Sequence, residues 1–182
     1  MSHITGTTPL TFTDKHILDS GVVDPAGMLR YTTGTTRGFV RRKVTNITGA
    51  NGIVGTIDWR EKAFTINGVQ RRWDEVMKKL PGGGRRFRDS TYEWNWSSKQ
   101  YRLEYHNSHK ELLATSTASP TTETVRFVPA SSVPFHHDGG HAVMYMPPHL
   151  EFDQVEEMFI LIAILYTDVH RQDMDAAATA AV

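Results

Sequence analysis

The chain has 182 residues, 39% of them hydrophobic and 22% charged, and 20 Lys or Arg balance 20 Asp or Glu. These values fit one domain with a substantial core, not a disordered or fibrous chain. The absence of cysteine excludes disulfide bonds, thiolate catalysis and cysteine-ligated metal centres. Residues 1–8 are polar and lack the apolar core of a signal peptide, so we expect a cytoplasmic protein with a disordered N-terminus.

Short segments in which apolar and polar residues alternate, separated by turn residues, predict β-strands along most of the chain. In the clearest of these, Ile53, Gly55, Ile57 and Trp59 share one face, and Val54, Thr56, Asp58 and Arg60 share the other. The predicted strands cover residues 9–13, 28–33, 39–48, 53–60, 62–66, 69–72, 85–88, 92–96, 101–105, 111–115, 124–128 and 142–146.

Two connections have recognisable local signals. Asn67-Gly68 predicts a type I′ hairpin turn, because both positions of that turn need a positive φ. Residues 73–80 predict a short helix or turn, with Asp74 at its start and the sequence Pro-Gly-Gly-Gly at residues 81–84 ending it.

Near the end of the chain, all nine residues from Met158 to Tyr166 are apolar or aromatic. A helix that is apolar on every side must be surrounded by other groups. A bilayer span needs about 20 apolar residues, and here charges lie on both flanks, which favours protein surroundings. We therefore predict a buried helix from about Phe152 to Arg171, followed by a disordered Ala-rich tail over residues 173–182.

The predicted fold is mainly β, in the α+β class. A sheet of about 10–12 strands must curl or close to avoid exposed edges. We expect a single domain over residues 9–172, a closed antiparallel β-barrel of about 10–12 strands that encloses the hydrophobic C-terminal helix.

The order of several short motifs resembles a known family. The motifs are Ile57-Asp58-Trp59, Asn67-Gly68, Arg86-Phe87, Tyr92-Glu93-Trp94, Arg102-Leu103-Glu104-Tyr105, Leu113-Ala114 and the terminal helix. Over about residues 10–172 the chain is similar to an uncharacterised basidiomycete (mushroom) domain family related to the tubby C-terminal, LURP-one-related and phospholipid scramblase-like domains. The resemblance implies a barrel of about twelve strands around a central helix. Tubby domains bind phosphoinositides and scramblases are tied to membranes and calcium, but neither binding site maps onto residues of this chain.

Charge is unevenly distributed along the chain. Residues 30–110 contain 17 Lys or Arg and 7 Asp or Glu, whereas residues 111–182 contain 2 and 10. A basic middle and an acidic end can attract each other within the fold. They can also give one surface a positive field suited to phosphate, and the sequence leaves both interpretations open.

Basic clusters occur at residues 41–43, 78–79 and 85–88. Arginine suits phosphate because its planar guanidinium makes two parallel hydrogen bonds, and lysine adds a mobile charge. Alternation along a strand puts Arg41 and Lys43 on one side and Arg42 on the other. A solvated basic surface is the alternative interpretation. The candidate residues for binding an anion or a lipid headgroup are Arg41, Arg42, Lys43, Arg85, Arg86 and Arg88.

One histidine-rich segment is a weak metal candidate. Its possible ligands are His136, His137, Asp138 and His141, since imidazole and carboxylate groups bind zinc-like ions. The spacing matches no established motif, and the nearby glycines favour an ordinary surface loop.

Aromatic residues near the basic clusters could stack on nucleic-acid bases. Alternation, however, places most of these rings on the inward face of the sheet and favours core packing. The residues are Trp59, Trp73, Trp94, Trp96, Tyr101 and Tyr105.

The predicted function is a non-enzymatic binding module, peripheral to membranes, that recognises anionic phospholipid headgroups. We expect no nucleic-acid partner, no cofactor and no transmembrane span. Two alternatives remain: a protein-interaction scaffold, in which the opposite charges serve only folding or docking, and a metal-dependent enzyme that uses the segment from His136 to His141.

Overall fold

The computed structural model describes residues 6–39, 42–81, 91–106, 109–118, 124–130, 140–148, 150 and 153–180. These residues form 13 β-strands, one short helix and one long helix. The helices are α1 (Trp73–Val76) and α2 (Gln154–Ala180). The strands are β1 (Thr8–Phe12), β2 (Gly21–Val23), β3 (Leu29–Arg37), β4 (Arg42–Gly49), β5 (Val54–Asp58), β6 (Ala63–Ile66), β7 (Val69–Arg72), β8 (Met77–Lys79), β9 (Tyr92–Trp96), β10 (Lys99–His106), β11 (Glu111–Ser116), β12 (Thr124–Val128) and β13 (Val143–Met146).

All 13 strands belong to one antiparallel sheet, in the order β7-β6-β5-β4-β3-β2-β1-β13-β12-β11-β10-β9-β8. Because neighbouring strands run in opposite directions, their connections lie at two opposite ends of the sheet. Strands β3, β5 and β8 end on the side of the sheet where the C-terminal part of α2 lies, which we call the α2 C-terminal end. The β2–β3 and β9–β10 connections lie at the opposite end, the α2 N-terminal end.

The closed barrel predicted from the sequence is wrong, because the sheet does not close. It begins with β7 and ends with β8, and no strand pairing joins these two edges in the described part of the chain. The chain passes from β7 to β8 through α1 alone, and the carboxylate of Glu75 accepts a hydrogen bond of 3.0 Å from the backbone N–H of Arg72. This bond is part of the capping interaction at the start of α1. Side chains bridge the seam instead, and the guanidinium of Arg71 lies 5.3 Å from the ring of Trp96 on β9.

The burial predicted for the helix is confirmed. The six central apolar side chains are 0–1% exposed: Phe159, Ile160, Leu161, Ile162, Ile164 and Leu165. The helix packs against strands near both edges of the sheet: β5 and β6 near the β7 edge, and β9 and β11 near the β8 edge. At Gly55 on β5 the contact is so close that a Cβ atom would lie 2.5 Å from the Sδ atom of Met158.

The ends of the chain differ from the prediction. Helix α2 continues to Ala180, so residues 173–180 are helical where the sequence predicts a disordered tail. Their alanines have the highest helix propensity of any residue, which favours extension of a helix that is already anchored. At the other end, β1 begins at Thr8, and residues 1–5 lie outside the described residues.

The local signals had mixed outcomes. The turn at Asn67-Gly68 is confirmed, with φ values of 47° and 80°. The short helix is also present, but residues 77–79 form strand β8 rather than a continuation of it. The strand predicted at residues 85–88 lies outside the described residues, and β9 pairs with β8 on one side and β10 on the other.

Candidate functional site

The β3–β4 hairpin (residues 37–43) presents an aromatic ring beside positive charge. Its two strands pair from Tyr31 opposite Gly49 to Arg37 opposite Arg42. Phe39, between the strands, is fully exposed. Four of the seven hairpin residues are Lys or Arg and none is acidic. The hairpin surface therefore offers both an apolar ring and positive charge to a ligand.

The predicted anion-binding residue Arg42 already has a partner within the protein. Its Nη1 and Nη2 atoms donate hydrogen bonds of 2.7 and 3.0 Å to the two carboxylate oxygens of Asp173 on α2. The guanidinium also lies 5.6 Å from the centre of the Trp59 ring. Arg42 therefore ties the hairpin to the helix and to β5, which sets the position of the hairpin.

Lys43 and Arg37 complete the described cations of the hairpin. Arg37 donates a hydrogen bond of 2.7 Å to Asp19, although most of its side chain remains exposed. Lys43 is exposed, and no carboxylate in the described ranges forms an ion pair with it. Lys43 is thus the hairpin cation whose charge is most available to a ligand.

The remaining predicted basic residues cannot be placed. Arg41 and the cluster of Arg85, Arg86 and Arg88 lie outside the described residues. Lys79 and Tyr92, which bracket that second cluster in the chain, pair with each other at the α2 C-terminal end of the sheet.

The metal hypothesis is largely outside the described residues, since they include His141 but not His136, His137 or Asp138. His141 is exposed, close to the start of β13. Elsewhere in the described ranges, no group of three or more His, Asp or Glu residues is arranged to hold a metal ion.

Core packing of the aromatic residues is confirmed. Trp94, Trp96 and Tyr101 are at most 3% exposed, and Trp59, Trp73 and Tyr105 are partly buried against the same core. Most of these rings surround the C-terminal half of the buried run of α2, where Tyr166 lies 4.6 Å from Trp73 and 5.7 Å from Trp59 between ring centres. These rings therefore stabilise the fold.

Sequence reasoning missed the role of the carboxylates on α2, which it treated only as charges that flank the apolar run. Glu156 and Glu157 are buried at the α2 N-terminal end. Glu156 accepts hydrogen bonds of 2.6 Å from Lys99 and 2.8 Å from the Tyr101 hydroxyl. Glu157 lies 3.6 Å from the guanidinium of Arg30. The sequence did contain one signal of this burial: both residues lie directly beside the apolar run, within the part of the helix that the sheet surrounds.

A third buried carboxylate lies toward the other end of the helix. Burial raises the pKa of Asp168, although the neighbouring Arg171 and Gln172 side chains act in the opposite direction. Arg171 donates a hydrogen bond of 2.8 Å to Asp168 and lies 4.8 Å from the Tyr105 ring. Among the described residues, no helix is both long and apolar enough to cross a membrane.

Comparisons with known proteins define a family but no activity. The X-ray structure of a protein from Arabidopsis thaliana is similar, with 12% sequence identity, coverage of 90% of both chains and a TM-score of 0.46. No curated protein matches the chain. A family model described as "Family of unknown function (DUF6593)" matches residues 13–173. Since this match covers most of the chain, the protein belongs to that family of unknown function.

Proposed function

We propose that the protein is a non-enzymatic binding module that docks on anionic membrane surfaces through the β3–β4 hairpin. The observation that carries this proposal is the fully exposed ring of Phe39 in a hairpin that has four cations and no carboxylate. An aromatic side chain at such a tip can enter the interfacial region of a bilayer while the neighbouring cations contact lipid phosphates.

The two kinds of group would act together. Removing the Phe39 ring from water would contribute about 1.5–3 kcal/mol, the usual value for burying a large apolar side chain. Each Lys or Arg near an anionic surface adds about 1 kcal/mol. Stable attachment generally requires both an apolar anchor and a basic patch, and the hairpin supplies both.

The described cations have different roles in this proposal. Lys43, which has no ion-pair partner in the described ranges, would contact headgroups directly. Arg42 is a positioning residue, because its bonds to Asp173 hold the hairpin against α2. Arg41, Arg85, Arg86 and Arg88 remain part of the proposed positive surface on sequence grounds alone.

The predicted relationship to tubby-like and scramblase-like domains points in the same direction, because tubby domains bind phosphoinositides. That relationship stays a prediction. The proposal therefore rests on the hairpin and names only the shared chemistry, an anionic lipid surface.

Vesicle co-sedimentation tests the proposal. The protein is mixed with vesicles of phosphatidylcholine alone, or with about 30% phosphatidylserine or a small fraction of phosphoinositide. We expect binding to the anionic vesicles at about 0.05 M salt and much weaker binding at about 0.5 M, where exposed charges are screened.

Two variants identify the surface. Phe39→Ser should weaken binding about tenfold or more, because it removes the apolar anchor. Lys43→Gln should weaken it about fivefold, the effect of one charge. The matched controls are Met28→Ser, an exposed apolar residue at the opposite end of the sheet, and Arg102→Gln on the outer face of β10. Both control proteins should bind like the wild type.

Failure to bind any anionic vesicle at low salt would reject the membrane proposal. Equal binding by Phe39→Ser and Met28→Ser would show that the hairpin is not the docking surface. Absence of lipid binding together with capture of one specific protein partner would support the protein-interaction scaffold instead.

A further inference from the structure

Gly34 lies within β3 at a position that does not need glycine for the fold. It is not among the described residues with positive φ, and it pairs with Asn46 in a regular part of the β3–β4 ladder. A Cβ atom built there would meet nothing within 4 Å. Glycine weakens the interior of a strand, and it often marks a bulge, a tight bend of the sheet, or a place that a ligand or another backbone approaches closely.

Gly55, a second glycine within a strand, is by contrast required by packing. At Gly55 a Cβ atom would lie 2.5 Å from Met158 Sδ and 3.0 Å from Ile162 Cδ1, so the approach of α2 requires glycine. Among the described residues, no such neighbour lies above Gly34. Gly34 instead lies in the floor of an open depression of about 520 Å³ on the outer face of the sheet.

The groups around this depression are polar and almost uncharged. Thr32, Thr36, Asn46 and Thr48 line it with exposed side chains, and Thr32 pairs with Thr48 across the two strands. The Thr hydroxyls and the Asn amide both donate and accept hydrogen bonds.

Asp19 forms one wall of the depression, and its charge is already compensated. One carboxylate oxygen accepts a hydrogen bond of 2.7 Å from the Thr35 backbone N–H, and the other accepts one of 2.7 Å from Arg37. These bonds fix the carboxylate in place. Its remaining lone pairs can accept hydrogen bonds from ligand hydroxyls.

This set of groups selects a ligand class. The described lining residues include no Lys or Arg, which disfavours phosphate and carboxylate ligands. They also include no large apolar side chain, which disfavours acyl chains and aromatic rings. A neutral molecule with several hydroxyl groups matches the hydroxyl, amide and carboxylate groups that are present.

We infer that the depression above Gly34 is a binding site for a neutral polyhydroxylated ligand, a sugar residue of a glycan or a free polyol. Asn46 and the threonine hydroxyls would bind the ligand hydroxyls, while Asp19 accepts from one or two of them. The site lies on the outer wall of β3 and β4 and uses neither Phe39 nor Lys43. It is therefore independent of the proposed membrane contact.

Protein-observed NMR titration tests this inference on the full chain. The probes are methyl β-D-glucopyranoside, methyl α-D-mannopyranoside, N-acetyl-D-glucosamine and myo-inositol, each added up to about 50 mM, because an open site with few contacts implies a millimolar Kd. We expect at least one probe to produce saturable shifts confined to amides of residues 19, 32–36 and 46–48. Preference for a glycoside would identify a glycan site, and preference for myo-inositol a polyol site.

Three variants localise the binding. Gly34→Val places a branched side chain in the floor of the depression, where its Cβ atom meets no described atom within 4 Å. It should weaken binding at least tenfold while the Tm stays equal or rises, since Val favours strands. Asn46→Ala should also weaken it severalfold. Thr65→Val, on the same face of β6 but outside the depression, should leave it unchanged.

Three outcomes would overturn the inference. They are the absence of saturable shifts with all four probes, undiminished binding by Gly34→Val, and shifts of the same amides by inorganic phosphate but by none of the neutral probes. The last result would show that the site prefers anions to neutral ligands. None of these outcomes depends on whether the protein binds vesicles.

Discussion

The carboxylates at the two ends of helix α2 are paired with cations in different ways. At the α2 N-terminal end the helix carboxylates are buried, and side chains of the sheet neutralise them through Lys99, Tyr101 and Arg30. Toward the α2 C-terminal end the buried Asp168 pairs with Arg171 of the helix itself, and the exposed Asp173 pairs with Arg42 of the hairpin near the surface. The first end therefore fixes the helix inside the sheet, whereas the second leaves the β3–β4 hairpin exposed.

This difference separates stability from binding. A buried carboxylate is tolerated only where partners satisfy it, so the N-terminal contacts must persist in the folded protein. An exposed ion pair contributes little to stability and can rearrange near another charged surface. We therefore expect mutations at the N-terminal end to affect folding, and mutations of the hairpin to affect docking.

The largest expected effect comes from a carboxylate placed between the two ends, where no partner exists. Ile162→Asp should prevent folding, because an unpaired buried carboxylate costs several kcal/mol. Soluble yield and thermal melting followed by circular dichroism measure this. Val54→Asp, on the exposed outer face of β5, is the matched control and should fold. A cooperatively melting Ile162→Asp protein would contradict the enclosure of the helix.

The next effect compares the two ends directly. Glu156→Ala removes two hydrogen bonds and leaves the buried Tyr101 hydroxyl without this acceptor, which should lower the free energy of unfolding by about 2–3 kcal/mol. Asp173→Ala removes an exposed pair and should lower it by about 1 kcal/mol or less. Denaturant titrations of both variants measure the difference, and equal losses would remove the proposed distinction between the ends.

The smallest effect is a change in pH dependence. Because burial raises the pKa of Asp168 above its value in the unfolded chain, the folded state holds this proton more tightly. The contribution of Asp168 to stability is therefore greatest below the unfolded pKa and is lost as pH rises through the folded pKa. Asp168→Asn should lack this loss. The free energies of unfolding of the wild type and the variant, measured at increasing pH from about pH 4, should therefore diverge. Parallel curves would contradict the assignment.

Much of the core was predictable because its signals are local. The alternation of Ile53, Gly55, Ile57 and Trp59 predicts the inward face of β5, and the apolar run from Met158 predicts the buried helix. Asn67-Gly68 predicts its turn, because few residues accept positive φ at both positions.

Closure of the sheet and the state of the basic residues were not predictable, because they depend on distant partners. Whether β7 pairs with β8 depends on the path of α1 and on the bond from Arg72 to Glu75. From the sequence, Arg42 is interpreted as a free cation, because its partner Asp173 lies 131 residues away in the chain. The depression above Gly34 likewise requires β3 and β4 in register with Asp19 beside them.

Hydrogen–deuterium exchange with and without phosphatidylserine-containing vesicles tests most directly whether the two ends have different roles. Residues 37–43 should become protected on vesicle addition, because the hairpin would enter the interface. The β9–β10 turn at Ser97 and Ser98, at the opposite end, should exchange at the same rate in both conditions. Protection at that turn, or no protection of the hairpin under conditions where the protein sediments with vesicles, would contradict the account.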